Sequence, residues 1–492
     1  MKSFHVSGGM ALLLCLAMPH ASRADGVLDT SFGALGRFIG SVDNNNNATT
    51  AGIVVQPDGR ILIGTSATLT GASCSSGFAL NRLRVNATGL DSGFGNAGVS
   101  NYCFTAQMPA GCVDYDRLSA MAALPGGGAL LAGSAFLCSA ASGSCSKSDV
   151  ALLRVNGAGV PDAAFNGAGA MLIGSGASYG DSLNRNALDV AVAANGTVFA
   201  VGSTAIAGGF PASAQNLAVW AVDANGGLIR EYRESSALNA AATAVGLQPD
   251  GKIIVAGWTE KTNTATNVVT IDRDCVISRY ALQGTTLARD ESFGTGGRVT
   301  FAFDIGGNGA TPGSAVNDDT CSSVAVQRDG RIVFAGWSNS DGTGGSRAFT
   351  GRLLADGGLD PAFLSGNVRI YYFESGAAGM VNRATKVLVQ GDGKIVVSGQ
   401  ASTATGSGRA IDFGVVRFLP DASFDYGGFA GTSPGSIGSR SMVDFSPLTG
   451  STSYDMAYTA AFDAGRVVIA GGESTFRVAR LDADGIFGNA FQ

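Results

Sequence analysis

The chain has 492 residues, 38 acidic against 32 basic side chains, a net charge of −6 and 73 glycines. An acidic surface repels phosphate backbones and offers anionic lipid no counter-charge, which argues against nucleic acid and charged membrane surfaces as partners. Both histidines, His5 and His20, fall in the first 24 residues, so nothing beyond them can serve a Ser-His-Asp triad, a Cys-His pair or a His-held zinc, copper or haem.

Residues 1–24 read as a secretory signal peptide: Lys2 is the charged start, Met10 to Met18 the apolar core, and Ser22-Arg23-Ala24 puts small residues before a cut at Asp25. The apolar run is too short to cross a bilayer as a helix, and no later stretch reads as one. Leu14 stands where a lipidated Cys15 would want a small residue, which argues against a lipoprotein. The expectation is an exported protein, periplasmic, at the cell surface or extracellular.

Beyond residue 24 one pattern recurs, best formed at Gln248-Pro249-Asp250-Gly251-Lys252-Ile253-Ile254-Val255-Ala256-Gly257. Proline presets φ, Asp bonds back to its own backbone, and glycine supplies the positive φ of a tight turn between two short apolar strands. In register, the turn glycines are Gly59, Gly127, Gly196, Gly251, Gly330, Gly393 and Gly465. Each hairpin is followed by an apolar strand carrying arginine, such as Val276-Ile277-Ser278-Arg279-Tyr280. A Leu-Asp-x-x-Phe-Gly turn and a short strand such as Arg298-Val299-Thr300-Phe301 come next. One unit is therefore four antiparallel strands. Seven such units predict an all-β fold, a seven-bladed β-propeller of four-stranded antiparallel blades spanning 25–492 as one domain. A coiled β-solenoid calls for shorter repeats, and an outer-membrane β-barrel conflicts with strands apolar on both faces. The tail Ile486-Phe487-Gly488-Asn489 echoes Ser31-Phe32-Gly33-Ala34, placing the two ends at one seam. A closed ring of this kind is expected to be monomeric.

The succession Leu-Asp-x-x-Phe-Gly-x-x-Gly, Gln-Pro-Asp-Gly-Lys-Ile-x-Val-Ala-Gly and Arg-Tyr/Leu resembles the delta-60 repeat family of bacterial β-propellers. The best matches are Leu28–Phe38 with Gln56–Ile63, Gln248–Gly257 with Phe293–Val299, and Gln327–Gly336 with Leu359–Phe363. The third unit departs most, with Ala194-Asn195-Gly196 in the turn and Leu228-Ile229-Arg230-Glu231-Tyr232 in place of Leu-Asp-x-x-Phe. The resemblance implies a propeller and no established activity.

Seven cysteines follow the first 24 residues, all mapping to the strand ends opposite the Pro-Asp-Gly turns. In an exported protein such tips are disulfide sites. The expected pairs are Cys103–Cys112, Cys138–Cys145 and, between neighbouring blades, Cys275–Cys321, leaving Cys74 free. Asp58, Asp250, Asp329 and Asp392 recur in the hairpin turn and are assigned to turn formation. Asp29, Asp91, Asp162, Asp290 and Asp360 recur beside Arg84, Arg154, Arg279, Arg352, Arg417 and Arg480, and are expected to form a structural latch.

Three sets break the repeat. Asp304, Asp318 and Asp319 bracket a long acidic, glycine-rich excursion whose oxygens suit calcium, the only cofactor for which a ligand set is visible. Further insertions run from Phe429 to Arg440 and from Tyr102 to Tyr115. Counting the short strand after each Leu-Asp turn as the first of its unit puts Arg37, Arg298, Tyr371 and Tyr372 on the channel wall, as binders of an anionic or sugar ligand. Trp258 and Trp337 are expected to pack between blades, and Trp220 to replace a small fourth-strand residue. The leading functional reading is a non-catalytic binding or surface-scaffold protein with a protein or glycan partner on its variable loops. The alternative is a carboxylate-based carbohydrate-active enzyme.

Overall fold

The computed structural model describes residues 25–41, 48–68, 76–107, 112–139, 145–174, 183–206, 215–234, 239–263, 270–303, 318–339, 345–374, 380–405, 408–429, 438–449 and 455–483. The expected signal peptide, Cys74, Asp304 and the tail echo lie outside them.

The strands of the described residues form seven antiparallel blades. Within each blade the chain runs from an inner strand outwards. Blade 1 is Ala48–Val55, Ile61–Thr68, Ser76–Leu83 and Val99–Tyr102, and blade 2 is Cys112–Ala123, Ala129–Ser139, Cys145–Val155 and Ala170–Ile173. Blade 3 is Leu183–Val192, Val198–Ile206, Asn216–Val222 and Leu228–Arg233. Blade 4 has Ala240–Leu247, Ile253–Asn263 and Thr270–Gln283, the last pairing with both Thr286–Arg289 and Arg298–Phe301. Blade 5 is Asp319–Val326, Ile332–Asn339, Ser346–Leu353 and Arg369–Tyr371, and blade 6 is Asn382–Val389, Ile395–Thr405, Gly408–Phe418 and Arg440–Val443. Blade 7 takes Ala457–Asp463, Arg466–Gly471 and Phe476–Asp482 from the end of the chain and Arg37–Gly40 from its beginning as outer strand.

Successive inner strands neighbour one another around the whole ring, blade 7 against blade 1 included. The strand after each Leu-Asp turn is therefore the outermost of its blade. This corrects the expectation that it lines the channel.

Both faces of each strand are apolar because each face meets a different blade. Ile61 and Ile63 enter the core between blades 7 and 1, while Leu62 enters that between blades 1 and 2. Seven such inter-blade cores close the circle. Each fully buried aliphatic side chain contributes about 1.5–3 kcal/mol.

Every inner strand carries a β-bulge at the same register, between Thr50 and Gly52, Leu118 and Ala120, Ala187 and Asp189, Ala242 and Ala244, Cys321 and Ser323, Ala384 and Lys386, and Ala457 and Thr459. There the inner strand crowds its neighbour, and a Cβ on Gly133, Gly202, Gly257, Gly336, Gly399 or Gly471 would collide with an inner-strand carbonyl. That close approach leaves no room for a side chain, which is why the repeat ends in Gly. The bulged Thr385 hydroxyl donates to the Ala457 carbonyl of the next blade at 3.1 Å, and Thr243 and Ser322 do likewise to Cys321 and Ala384.

Candidate functional site: the disulfide-bearing face and the channel

The hairpin turns and Leu-Asp turns share one face, called upper here. Its recurring charges are committed to clamps. Arg82–Asp91, Arg154–Asp162 and Arg279–Asp290 pair at 2.9 Å, Arg352–Asp360 and Arg417–Asp425 at 2.7 Å, and Arg480–Asp29 at 2.8 Å. Each guanidinium also lies over the phenylalanine of its Leu-Asp turn, 4.6 Å from the ring centre at Phe94 and Phe32 and 4.9 Å at Phe293 and Phe429. The same arginines reach onward: Arg82 donates to the Gly157 carbonyl at 2.8 Å, Arg154 to Ala224 and Arg279 to Ala355 at 2.6 Å, each on the following blade. The expected latch is real, with Arg82 in the place assigned to Arg84 and Asp425 as a further member. Ala221 occupies the arginine position of blade 3, next to buried Trp220.

Burial alone would raise the Asp29 carboxyl, but hydrogen bonds from Ser31 and the Arg480 charge outweigh it and hold it well below the usual range. The Ser292 hydroxyl, with Lys252 and Arg279, does the same for Asp290. Asp58, Asp250, Asp329 and Asp392 each accept the backbone N–H two residues on, at 3.0–3.1 Å, as turn-formers. The repeat glutamine clamps too: Gln248 donates to the Gly330 carbonyl of the next blade at 2.9 Å.

Three of the four ligand candidates are otherwise engaged. Arg37 is buried and donates to the Leu35 carbonyl at 2.9 Å, Arg298 pairs with Glu234, and buried Tyr371 shares a 3.0 Å hydrogen bond with Thr350. All three sit on outer strands, remote from the channel. Tyr372, just beyond an outer strand, is half-buried under the Arg347 guanidinium at 5.3 Å.

The lower face holds a second set of fasteners, invisible in sequence. Asp116, Asp319 and Asn382 on inner strands, and Asp455 just before one, accept the backbone N–H of Phe104, Phe303, Phe373 and Phe445 at 3.2, 2.5, 2.8 and 3.1 Å. Cys275 and Cys321 form the expected disulfide between blades 4 and 5, with Cα atoms 5.0 Å apart and both residues fully buried. Cys103 is disulfide-bonded, and Cys138 faces Cys145 across the ladder; the side chains of Cys112, Cys138 and Cys145 lie outside those described.

Of the calcium set, Asp318 accepts the Arg273 N–H at 3.1 Å, with burial raising its carboxyl, and Asp319 holds Phe303. Among the described residues the carboxylates within metal-binding reach are instead Asp412, Asp444 and Asp455, whose oxygens lie within 4.8 Å of one another. Arg477 already pairs with Asp455, and the Arg37 charge bears on Asp444 and Asp455, so two arginines offset part of the trio's charge.

Two features stand outside the clamps. In the channel, the position after the bulge carries Asp189 on blade 3 and Lys386 on blade 6. Burial raises the Asp189 carboxyl; Lys386 and the Val245 N–H, 2.9 Å away, oppose that. On the lower rim, arginines lie on tryptophans: Arg273 over Trp258 at 4.1 Å, and Arg383 of blade 6 over Trp337 of blade 5 at 4.4 Å. Trp258 is buried at the blade 4–5 side, while Trp337 stays half-buried.

Residues 248–271, 327–363 and 390–427, in blades 4, 5 and 6, match the model of a β-propeller domain of unknown function, DUF5122. No curated protein shows a significant match. Among solved structures, the chain is similar to the polysaccharide lyase Uly1 (9% identity, 91% of this chain and 99% of that one, TM-score 0.42). It is also similar to the α-L-arabinofuranosidase Arb93A from Fusarium graminearum (11% identity, 77% and 96%, TM-score 0.41). A puromycin hydrolase matches at 13% identity over 96% of this chain, which spans 57% of that chain's length, with a TM-score of 0.40. With seven four-stranded blades around one axis and a propeller model matched in three of them, the chain is a β-propeller protein.

Proposed function

We propose that the chain is an exported, non-catalytic binding or surface-scaffold protein whose partner seats on the lower, cysteine-bearing face. The observation that carries this reading is the unequal use of charge. The upper face commits its recurring Arg, Asp and Gln groups to holding blades together, whereas the lower rim keeps Arg383 and half-buried Trp337 outside the clamp system. Irregular loops on a rigid scaffold are where recognition resides. The Cys275–Cys321 bridge supports an oxidising compartment, and no helix among the described residues is long and apolar enough to cross a membrane. The test is a glycan array and an affinity capture with the purified mature chain, before and after charge-reversal of lower-face residues. Loss of a captured partner on reversal is expected, and an absence of binding to every glycan and protein offered overturns the reading.

Asp189 favours a second reading, a carboxylate-based carbohydrate-active enzyme working in the channel. A half-buried carboxyl whose proton affinity desolvation raises is a general acid in kind, although glycoside hydrolysis asks for two carboxyls. Release of reducing ends from a polysaccharide panel, abolished by Asp189→Asn, is its expected signature; no release from any polymer removes it.

A further inference from the structure

We infer that the lower inner rim between blades 5 and 6 is an oxyanion-binding subsite for an acidic sugar, built from Arg383 and Trp337. This deepens the binding reading above and rests on it.

Four arginines are desolvated enough to lower their proton affinity: Arg37, Arg298, Arg383 and Arg440. Three are compensated. Arg37 feels Asp444 and Asp455, Arg298 pairs with Glu234, and Arg440 feels Glu374. Arg383 has no carboxylate partner among the described residues. Its Nε is buried without an acceptor, and its guanidinium carbon lies over Trp337, 4.4 Å from the ring centre. A cation removed from water and given only an indole for company is stabilised by an incoming anion more than a solvated one is.

The surroundings specify the anion's carrier. Gln400, across the ladder from Arg383, also pairs with Phe413 of the blade 6–7 core, so it faces blade 7 and takes no part in the site. Guanidinium fork and partly open indole are a charge and an apolar platform side by side, which matches a pyranose bearing a carboxylate or sulfate. The equivalent inner-strand positions in the other blades are Thr49, Arg117, Asn186, Ala241, Thr320 and Met456, so no carboxylate at this level of the rim opposes an anion. Arg117, at the same level on blade 2 across the ring, is exposed. Deeper on the blade 6 strand, Lys386 has no hydrogen bond among the described residues, and its charge bears on Asp189 of blade 3.

The experiment is calorimetric titration of the full mature chain with polygalacturonate and heparin, against fully methyl-esterified polygalacturonate and dextran as neutral polymers. Binding of at least one acidic polymer and neither neutral one is expected, with affinity falling about tenfold in Arg383→Gln and only partly restored in Arg383→Lys. Trp337 is half-buried beside the site, so ligand should change tryptophan emission in the native chain and cease to do so in Trp337→Phe, a readout that survives if Arg383→Gln fails to fold. Preference for polygalacturonate identifies the carboxylate as the group read, and preference for heparin the sulfate. Equal binding to esterified and free polymer, or wild-type affinity in folded Arg383→Gln, overturns the assignment. If acidic polymers are ignored while another partner still docks on the lower face, the subsite falls and the broader reading stands.

Discussion

In six of the seven blades a single arginine near the end of the third strand pairs with the aspartate of the following turn, covers the phenylalanine three or four residues later and, in several blades, holds a carbonyl of the next blade. Lysine can replace the charge but not the planar fork. Arg352 and Asp360 are both almost fully buried, so Asp360→Ala should cost about 3–5 kcal/mol, because it leaves the guanidinium buried and unpaired. Urea unfolding measures this, and a loss below about 1 kcal/mol would show the pair to be ornamental. Asp29 and Asp290 sit below the ordinary carboxylate value of the unfolded chain. Their stabilisation is fully present above about pH 4 and is lost as pH falls from there, so the melting temperature should drop on that acid limb. Asp290→Asn should lower it at pH 7 and flatten the limb. Asp189 has the opposite sign. The folded state holds its proton more tightly than the unfolded one, so the ionised form costs stability as pH rises. Asp189→Asn should therefore melt higher than wild type at neutral pH, with the gap closing below about pH 4. The sequence named the pairing but placed Arg84 in the role of Arg82. The two lie on the same side of an extended chain, and only the ladder opposite Leu62 decides between them.

At the scale of the element, the hairpin was legible because all of its causes are local: proline, a turn-bonding aspartate, a positive-φ glycine and β-branched flanks. The order of strands across a blade was not. A circular repeat has no natural first strand, and the Leu-Asp turn belongs by pairing to the blade before it. That ambiguity displaced Arg37, Arg298 and Tyr371 from the channel to the periphery. The lower fasteners escaped for another reason: a loop of variable length separates each phenylalanine from the Asp or Asn that holds it. Asp189 and Lys386 lie on blades 3 and 6, far beyond any local pattern. The Cys275–Cys321 link was legible as a pair on neighbouring blades, although both cysteines lie inside strands and not at loop tips. Replacing both by serine should lower stability by about 2–4 kcal/mol. Because both sulfurs are buried, thiol reagents should label them only after unfolding, and prompt labelling of the native reduced chain would contradict this burial.

The whole molecule is held by blade-to-blade packing and by one composite blade. Strand Arg37–Gly40 pairs with Phe476–Asp482, Asp29 binds Arg480, and Asp25 meets Arg417 on blade 6 at 2.8 Å. Deleting residues 25–41 should bare a strand edge and take from two buried arginines one carboxylate each, leaving Arg417 only Asp425 and Arg480 only Asp463. The expected product is aggregation-prone, and a truncated chain that stays soluble with an unchanged melting curve would mean that the seam contributes little. The same arrangement bears on synthesis. The earliest part of the wheel to leave the ribosome cannot take its place until the latest part has been made. Six spokes can assemble as they emerge, but the rim stays open until translation is nearly done, so a pause late in synthesis would leave the most adhesive intermediate waiting longest.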